Sequence, residues 1–201
     1  MTDVERAIAA IRDGGLVVLP TDTVYGLACT PYLEAAVLRL SRLKGRSPEQ
    51  PIALVAASSD RLLECIPELG DRGTLAARAL LPGPYTLVLP NPGRRFPWLT
   101  GGRPETIGVR VPELSGPGGE VLQEVGIVAA TSANRHGGPD PRRLADVPAE
   151  LLAAAVAVDG GALPGSPSTV LDLTGPEPLV MREGAVPAGE ALARVAEALG
   201  E

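Results

Sequence analysis

Lysine occurs once in this chain, at Lys44 in Lys44-Gly45-Arg46, although 18 residues are basic. A single amine followed by glycine and arginine can serve an anionic ligand, or it can be the stray surface lysine of an arginine-rich chain. Upstream stands Pro20-Thr21-Asp22-Thr23-Val24-Tyr25-Gly26, a hydroxyl-rich turn directly after the apolar run Leu16-Val17-Val18-Leu19. A buried strand that opens into hydroxyls, with a cation pair one helix later, is the order an α/β site for an anionic substrate needs.

Further polar groups recur just past apolar runs. Arg110 interrupts Ile107-Gly108-Val109-Arg110-Val111-Pro112, and a charge in an apolar strand must be paired or face a cleft, because burying it alone is very costly. A structural ion pair and a ligand-facing cation both satisfy that demand. Thr131-Ser132-Ala133-Asn134 follows Ile127-Val128-Ala129-Ala130; such small hydroxyls and amides hold a ligand closely or form a helix cap and turn. Ser168-Thr169 opens another apolar run, and Arg182-Glu183-Gly184 closes the next. No Walker loop, GxGxxG, GxSxG or HExxH is present. His136 is the only histidine, so no Cys/His metal constellation exists and His136 itself reads as a solvent-exposed loop residue.

The elements that must position these groups alternate along the chain. Thr2-Asp3-Val4-Glu5 has capping-box spacing, and Val4, Ala7, Ile8 and Ile11 make a helical stripe ended by Gly14-Gly15. Strands are predicted at 15–20, 52–56, 85–89, 106–111, 127–131, 168–173 and 178–182, and helices at 33–43, from Ser58 or Ser59 to Cys65, at 73–81, and near 119–125, 146–155 and 188–199. The last two strands are separated only by a turn around Thr174-Gly175-Pro176, which predicts a hairpin and hence a mixed sheet. Residues 91–105, rich in glycine and proline, are a candidate lid or a long surface connection.

The 201 residues suit one domain, and 45% apolar content is ample for a core, although 2% aromatics leave that core to Leu, Val, Ala and Ile. No apolar run has membrane-span length and the N-terminus reads as an acidic amphipathic helix, so neither a membrane span nor a signal peptide is expected. Cys29 and Cys65 both lie in apolar runs and read as buried free thiols of a cytoplasmic protein. A net charge of −6 argues against a surface that grips nucleic acid throughout, though not against a local basic cleft.

Taken in order, PTDTVYGL (20–27), KGR (44–46), PGPYTLVLP (82–90), TIGVRVP (106–112), TSAN (131–134), PSTVLDL (167–173) and MREG (181–184) resemble the YrdC-like (TsaC-type) threonylcarbamoyl-adenylate synthases, in their short single-domain branch. The resemblance runs from about residue 8 to 185. It implies a single domain over 1–201: an open, twisted mixed sheet flanked by helices around a concave cleft. It also implies the reaction of L-threonine, bicarbonate and ATP to threonylcarbamoyl-AMP and pyrophosphate. A downstream threonylcarbamoyl-transferase complex would pass that group to the adenosine at tRNA position 37. Such chemistry needs positioning and charge neutralisation rather than an enzyme nucleophile.

By the same resemblance, Thr23, Arg110, Ser132 and Ser168 match positions that hold L-threonine, with Arg110 facing its carboxylate. Arg46, Gln50, Thr106, Asn134, Arg142 and Arg182 match positions around ATP. Lys44 would serve the phosphates as a mobile point charge, and Lys44 and Arg46 would be the catalytic cations. Mg2+ would arrive with the nucleotide, held mainly by phosphate and water. The chain departs from the family pattern at Gln50, Val55 and Leu114, and at Arg135-His136-Gly137 after the TSAN segment. Two other roles fit the same resemblance: a paralogous enzyme acting on the adenylate product, and a module binding tRNA or double-stranded RNA. Five aromatics and a negative net charge speak against base stacking.

Overall fold

A computed structural model describes residues 1–47 and 49–200. Helix α1 (Asp3–Arg12) starts on the expected capping box: Thr2 Oγ1 accepts from the Glu5 amide at 3.1 Å, and Glu5 Oε2 accepts from the Thr2 amide at 2.7 Å. Next come β1 (Val17–Pro20), β2 (Tyr25–Cys29), α2 (Glu34–Lys44), β3 (Ala53–Ala56), α3 (Ser59–Cys65) and α4 (Asp71–Leu80). The chain continues through β4 (Tyr85–Pro90), β5 (Thr106–Arg110), α5 (Gly116–Val125), β6 (Ile127–Ser132), α6 (Ala149–Ala154), β7 (Val156–Ala157), β8 (Thr169–Asp172), β9 (Leu179–Arg182) and α7 (Ala188–Leu199).

Among the described residues, nine strands form one sheet in the order β7-β1-β2-β6-β3-β5-β4-β8-β9. The sheet is mixed: β1–β2, β2–β6, β3–β6, β4–β5 and β8–β9 run antiparallel, while β1–β7, β3–β5 and β4–β8 run parallel. The expected hairpin is therefore the β8–β9 pair.

Side chains alternate cleanly between the two faces, as a strand's period of two requires. Val18, Leu27, Leu54, Leu87, Val109, Ala129 and Leu171 belong to the larger core, which also holds buried residues of α2, α3, α4 and α7. Val17, Leu19, Ala28, Val55 and Val128 point the other way, into a smaller core with Ala7 and Ile11 of α1 and Val121 and Leu122 of α5. Beyond that smaller core, the same face carries Thr86, Val88, Gly108, Ser168 and Val170, which line an open cleft instead of meeting a helix.

Several elements differ from expectation. Strand β2 lies in what the sequence presents as turn and loop; all five of its residues are buried, so no polar–apolar alternation marks it. The helix expected over 146–155 is interrupted, because Pro148 caps a shorter α6 after a 3-10 turn at Leu144–Asp146. Helix α5 begins three residues early, its Gly116-Pro117 start being a helix opening rather than a loop. Cys29 is buried and its thiol is pushed up to about 12 by desolvation, but Cys65 is only half-buried, with Sγ 3.9 Å from the Tyr32 hydroxyl. Residues 91–105 are tied down: the Asn91 side chain bonds Arg95 and Pro104, Trp98 Nε1 donates to the Pro31 carbonyl at 2.8 Å, and Leu99 is fully buried.

Candidate active site

The floor of the cleft is made of the smallest residues. Ala28, Ala130 and Ala53 stand side by side on β2, β6 and β3, and Gly108 follows on β5 beside Val88 of β4. A side chain built onto Gly108 would find only the Ala53 Cα, 3.9 Å away, so the space above the strand is open. This floor and its polar rim enclose about 330 Å³.

At one end, Arg110 closes β5 opposite Val55 of β3. Its Nη2 donates to Asp22 Oδ1 in a short ion pair and to Thr23 Oγ1 at 2.8 Å. The pair is nearly buried, with 12% of the Arg110 side chain and 11% of that of Asp22 exposed. Both readings of Arg110 thus hold together: it has a structural partner and it lines the cleft. Burial holds its pKa below the usual arginine range, Asp22 opposes that shift, and nearby Arg182 adds to it. Arg110 Nε is buried without a protein partner. Thr23 is fixed by its own turn, with Thr21 Oγ1 at 3.2 Å.

Beside this end, Ser168 stands directly before β8 and Arg182 ends β9. Ser168 Oγ lies 2.8 Å from Thr86 Oγ1, and Arg182 Nη2 donates to the Ser168 carbonyl at 2.8 Å.

The other end is built on α2. Gly45, in the left-handed conformation at φ 68°, caps the helix and turns the chain so that Arg46 reaches the sheet. Arg46 Nη1 donates to Thr131 Oγ1 and Nη2 to the Pro51 carbonyl, each at 2.9 Å, while Nε is buried without a partner. Lys44 is 3% exposed, so it is not a surface lysine. Its ammonium donates to the Ser132 carbonyl, to Ser132 Oγ at 3.3 Å and to Asn134 Oδ1 at 2.7 Å. It is held by three acceptors, whereas the sequence resemblance led us to expect a mobile charge. Desolvation, then Arg46, pushes Lys44 down to about 8, with Asp140 opposing.

Arg46, Arg110, Ser132, Ser168 and Arg182 therefore line one cleft, with Thr23, Lys44 and Asn134 buried directly behind it. Three arginines face one aspartate, Asp140, in this lining, so positive charge is concentrated here in a chain of net charge −6. Three other expected residues stand apart. Gln50 Nε2 is 3.2 Å from His136 Nε2, and His136 is exposed. Arg142 is exposed and bonds the Leu163 carbonyl. Thr106 is on the same face of β5 as Gly108, but its hydroxyl is given to the Arg103 carbonyl at 3.1 Å. The sequence reading missed Asp22, Thr86 and Asp140. Asp22 and Thr86 sit inside motifs already noted, but only the register places them beside Arg110 and Ser168. Asp140 lies in a Gly-Pro turn that carries no periodic signal.

Among the described residues, no group of three or more His, Cys, Asp or Glu could hold a metal, and no helix is long and apolar enough to cross a membrane. The arrangement suits binding and orienting anions; Lys44 Nζ lies 3.3 Å from Ser132 Oγ, but its ammonium is also given to the Ser132 carbonyl and to Asn134.

The chain resembles known proteins over most of its length. A Thiobacillus denitrificans protein named threonylcarbamoyl-AMP synthase is 37% identical over 168 residues, covering 82% of this chain and 88% of its own. Pyrococcus abyssi Sua5, solved in complex with L-threonine, superposes with a TM-score of 0.85 at 33% identity; it covers all of this chain, which spans 59% of that protein's chain. Escherichia coli YciO superposes with a TM-score of 0.79 at 25% identity, with 94% of this chain and 92% of its own covered. The Sua5/YciO/YrdC family model, described as "Telomere recombination", matches residues 9–184. With the model spanning most of the chain and the sheet agreeing with solved members, this chain belongs to the Sua5/YciO/YrdC family.

Proposed function

We propose that the chain is an L-threonylcarbamoyladenylate synthase, joining L-threonine, bicarbonate and ATP and releasing pyrophosphate and water. The observation that carries this reading is the pair of cationic ends on one cleft, each with a buried, unpartnered arginine Nε. Orphaned buried donors are costly unless a ligand completes them. From Pro51, which Arg46 touches, to Val55, opposite Arg110, the chain runs four residues into β3, at most about 13 Å at 3.3 Å per residue. That separation lets an amino acid and a triphosphate lie end to end on the Ala–Gly floor.

In this reading Arg110 receives the threonine carboxylate on its free Nε–H, with Asp22 and Thr23 fixing the guanidinium plane. Ser168 supplies a hydroxyl beside Arg110, and Ser132 supplies one from the Arg46 end, where the threonine and the triphosphate would meet. The amine of threonine adds to the carbon of bicarbonate-derived CO₂, giving a carbamate. A carbamate oxygen then attacks the α-phosphorus, and the bond to the β-phosphate oxygen breaks. Arg46 takes the charge that grows on the leaving pyrophosphate, a contribution of roughly 3 kcal/mol for a preorganised charged donor. Lys44 adds its field from behind and shapes the Ser132–Asn134 turn. Arg182 serves the nucleotide from β9, and Gln50, Thr106 and Arg142 serve it from the periphery.

Mg2+ fits as a companion of the nucleotide rather than a resident ion. The cleft lining offers one carboxylate, and a magnesium ion bound through one or two carboxylates and phosphate oxygens needs no more. When present it would neutralise phosphate charge. The product would be consumed by a transferase acting on tRNA.

The test is pyrophosphate release from ATP by the pure protein. Release should require threonine and bicarbonate together. Turnover that is unchanged when threonine is left out would end the synthase reading.

A further inference from the structure

The Asn134 side chain has no hydrogen-bonding capacity left for a ligand. Its Oδ1 accepts from Lys44 at 2.7 Å and from Ser132 Oγ at 2.7 Å, which uses both lone pairs. Its Nδ2 donates to the Gly138 carbonyl at 2.7 Å and to Asp140 Oδ1 at 3.2 Å, which uses both hydrogens. Lys44 and Asn134 therefore make a closed frame, and the group this frame presents to the cleft is Asp140. Asp140 is the only acidic residue in the cleft lining, and Asn134 is its one hydrogen-bond partner among the described residues.

A carboxylate is out of place beside a triphosphate. At the end where Arg46, Thr131 and Ser132 stand, an unscreened Asp140 would repel the ligand that Arg46 attracts. The conflict disappears if a divalent cation lies between carboxylate and phosphate. One carboxylate, neighbouring hydroxyls and substrate phosphates are the oxygen donors such an ion takes, and it keeps several waters. We infer that Asp140 is the protein's anchor for the divalent cation that accompanies the nucleotide, directly or through one of the ion's waters. The inference rests on the reading that this cleft takes ATP. The competing role is a counter-ion for Lys44 and a prop for Asn134, with no part in metal recognition.

The two roles give opposite signs when nucleotide binding is measured by calorimetry, with threonine and bicarbonate omitted so that nothing turns over. Wild type should bind ATP with excess Mg2+ at least about tenfold tighter than ATP in EDTA. Asp140→Asn should weaken binding with Mg2+ yet tighten binding in EDTA, because it removes both the metal anchor and the repulsion. If the variant shifts both affinities in the same direction, Asp140 is only a counter-ion and the inference is overturned. Nuclear magnetic resonance of the wild type with Mn2+ and ATP covers the case of a misfolded variant. Backbone amide signals of Gly138 and Asp140 should broaden more than with ATP alone, and unbroadened signals would overturn the inference. A wild type that binds no ATP under either condition would remove the synthase reading as well.

Discussion

Replacing Lys44 by methionine should change how stability depends on pH more tellingly than it changes stability itself. The ammonium is 3% exposed, and burial with the help of Arg46 lowers its pKa from 10.5 to about 8. That displacement corresponds to about 3 kcal/mol of penalty on the charged form in the folded protein. Below pH 8 both folded and unfolded chains hold the proton, and the penalty is fully present. Between about 8 and 10.5 the folded chain has released a proton that the unfolded chain retains, so stability contributed at this site rises with pH. Methionine has no proton to release. It also removes the ammonium donor of the Ser132 carbonyl and one of the two donors of Asn134 Oδ1, which keeps Ser132 Oγ, at a cost of about 1–3 kcal/mol, so the two proteins can be similarly stable at pH 7. Urea unfolding at pH 7, 8, 9 and 10 separates these effects, since other titrations cancel in the difference. Wild type should gain on the order of 3 kcal/mol relative to Lys44→Met across that window. A difference that stays flat would mean that the ammonium is solvated and does not hold the Ser132–Asn134 turn.

Two further expectations concern the ligands directly. Arg110→Ala should weaken threonine binding far more than ATP binding, and Arg182→Ala should do the reverse, as titration of each ligand alone would reveal; unchanged threonine binding in Arg110→Ala would leave Arg110 as a purely structural partner of Asp22. Gly108→Leu should melt within a few degrees of wild type, because the space above it is open, but should abolish ligand binding by filling the floor; a variant that still binds both substrates would place them elsewhere.

Motif order and short apolar runs made most of this architecture legible in the sequence, and the misses have physical causes. Strand β2 follows directly on the hydroxyl-rich turn, and Gly26 imitates a turn, so Tyr25-Gly26-Leu27-Ala28-Cys29 reads as its continuation although all five residues are buried. Arg110 could be read as paired or as ligand-facing; only the three-dimensional position of Asp22, 88 residues away, shows that it is both. Lys44 was legible as unusual, but not as buried, because its acceptors lie at the end of β6 and two residues beyond it, across 88 and 90 residues of sequence. Asp140 had no signal beyond a Gly-Pro turn. Its meaning comes from being the one carboxylate in a basic cleft.

The most direct test of the synthase assignment follows the carbon that the chain is proposed to fix. The pure protein would be incubated with ATP, L-threonine and ¹³C-bicarbonate, and the adenylate formed would be weighed by mass spectrometry. The account predicts threonylcarbamoyl-AMP carrying one ¹³C, formed in step with pyrophosphate and lost when threonine is omitted. Pyrophosphate or ADP released with no ¹³C-labelled adenylate would contradict it.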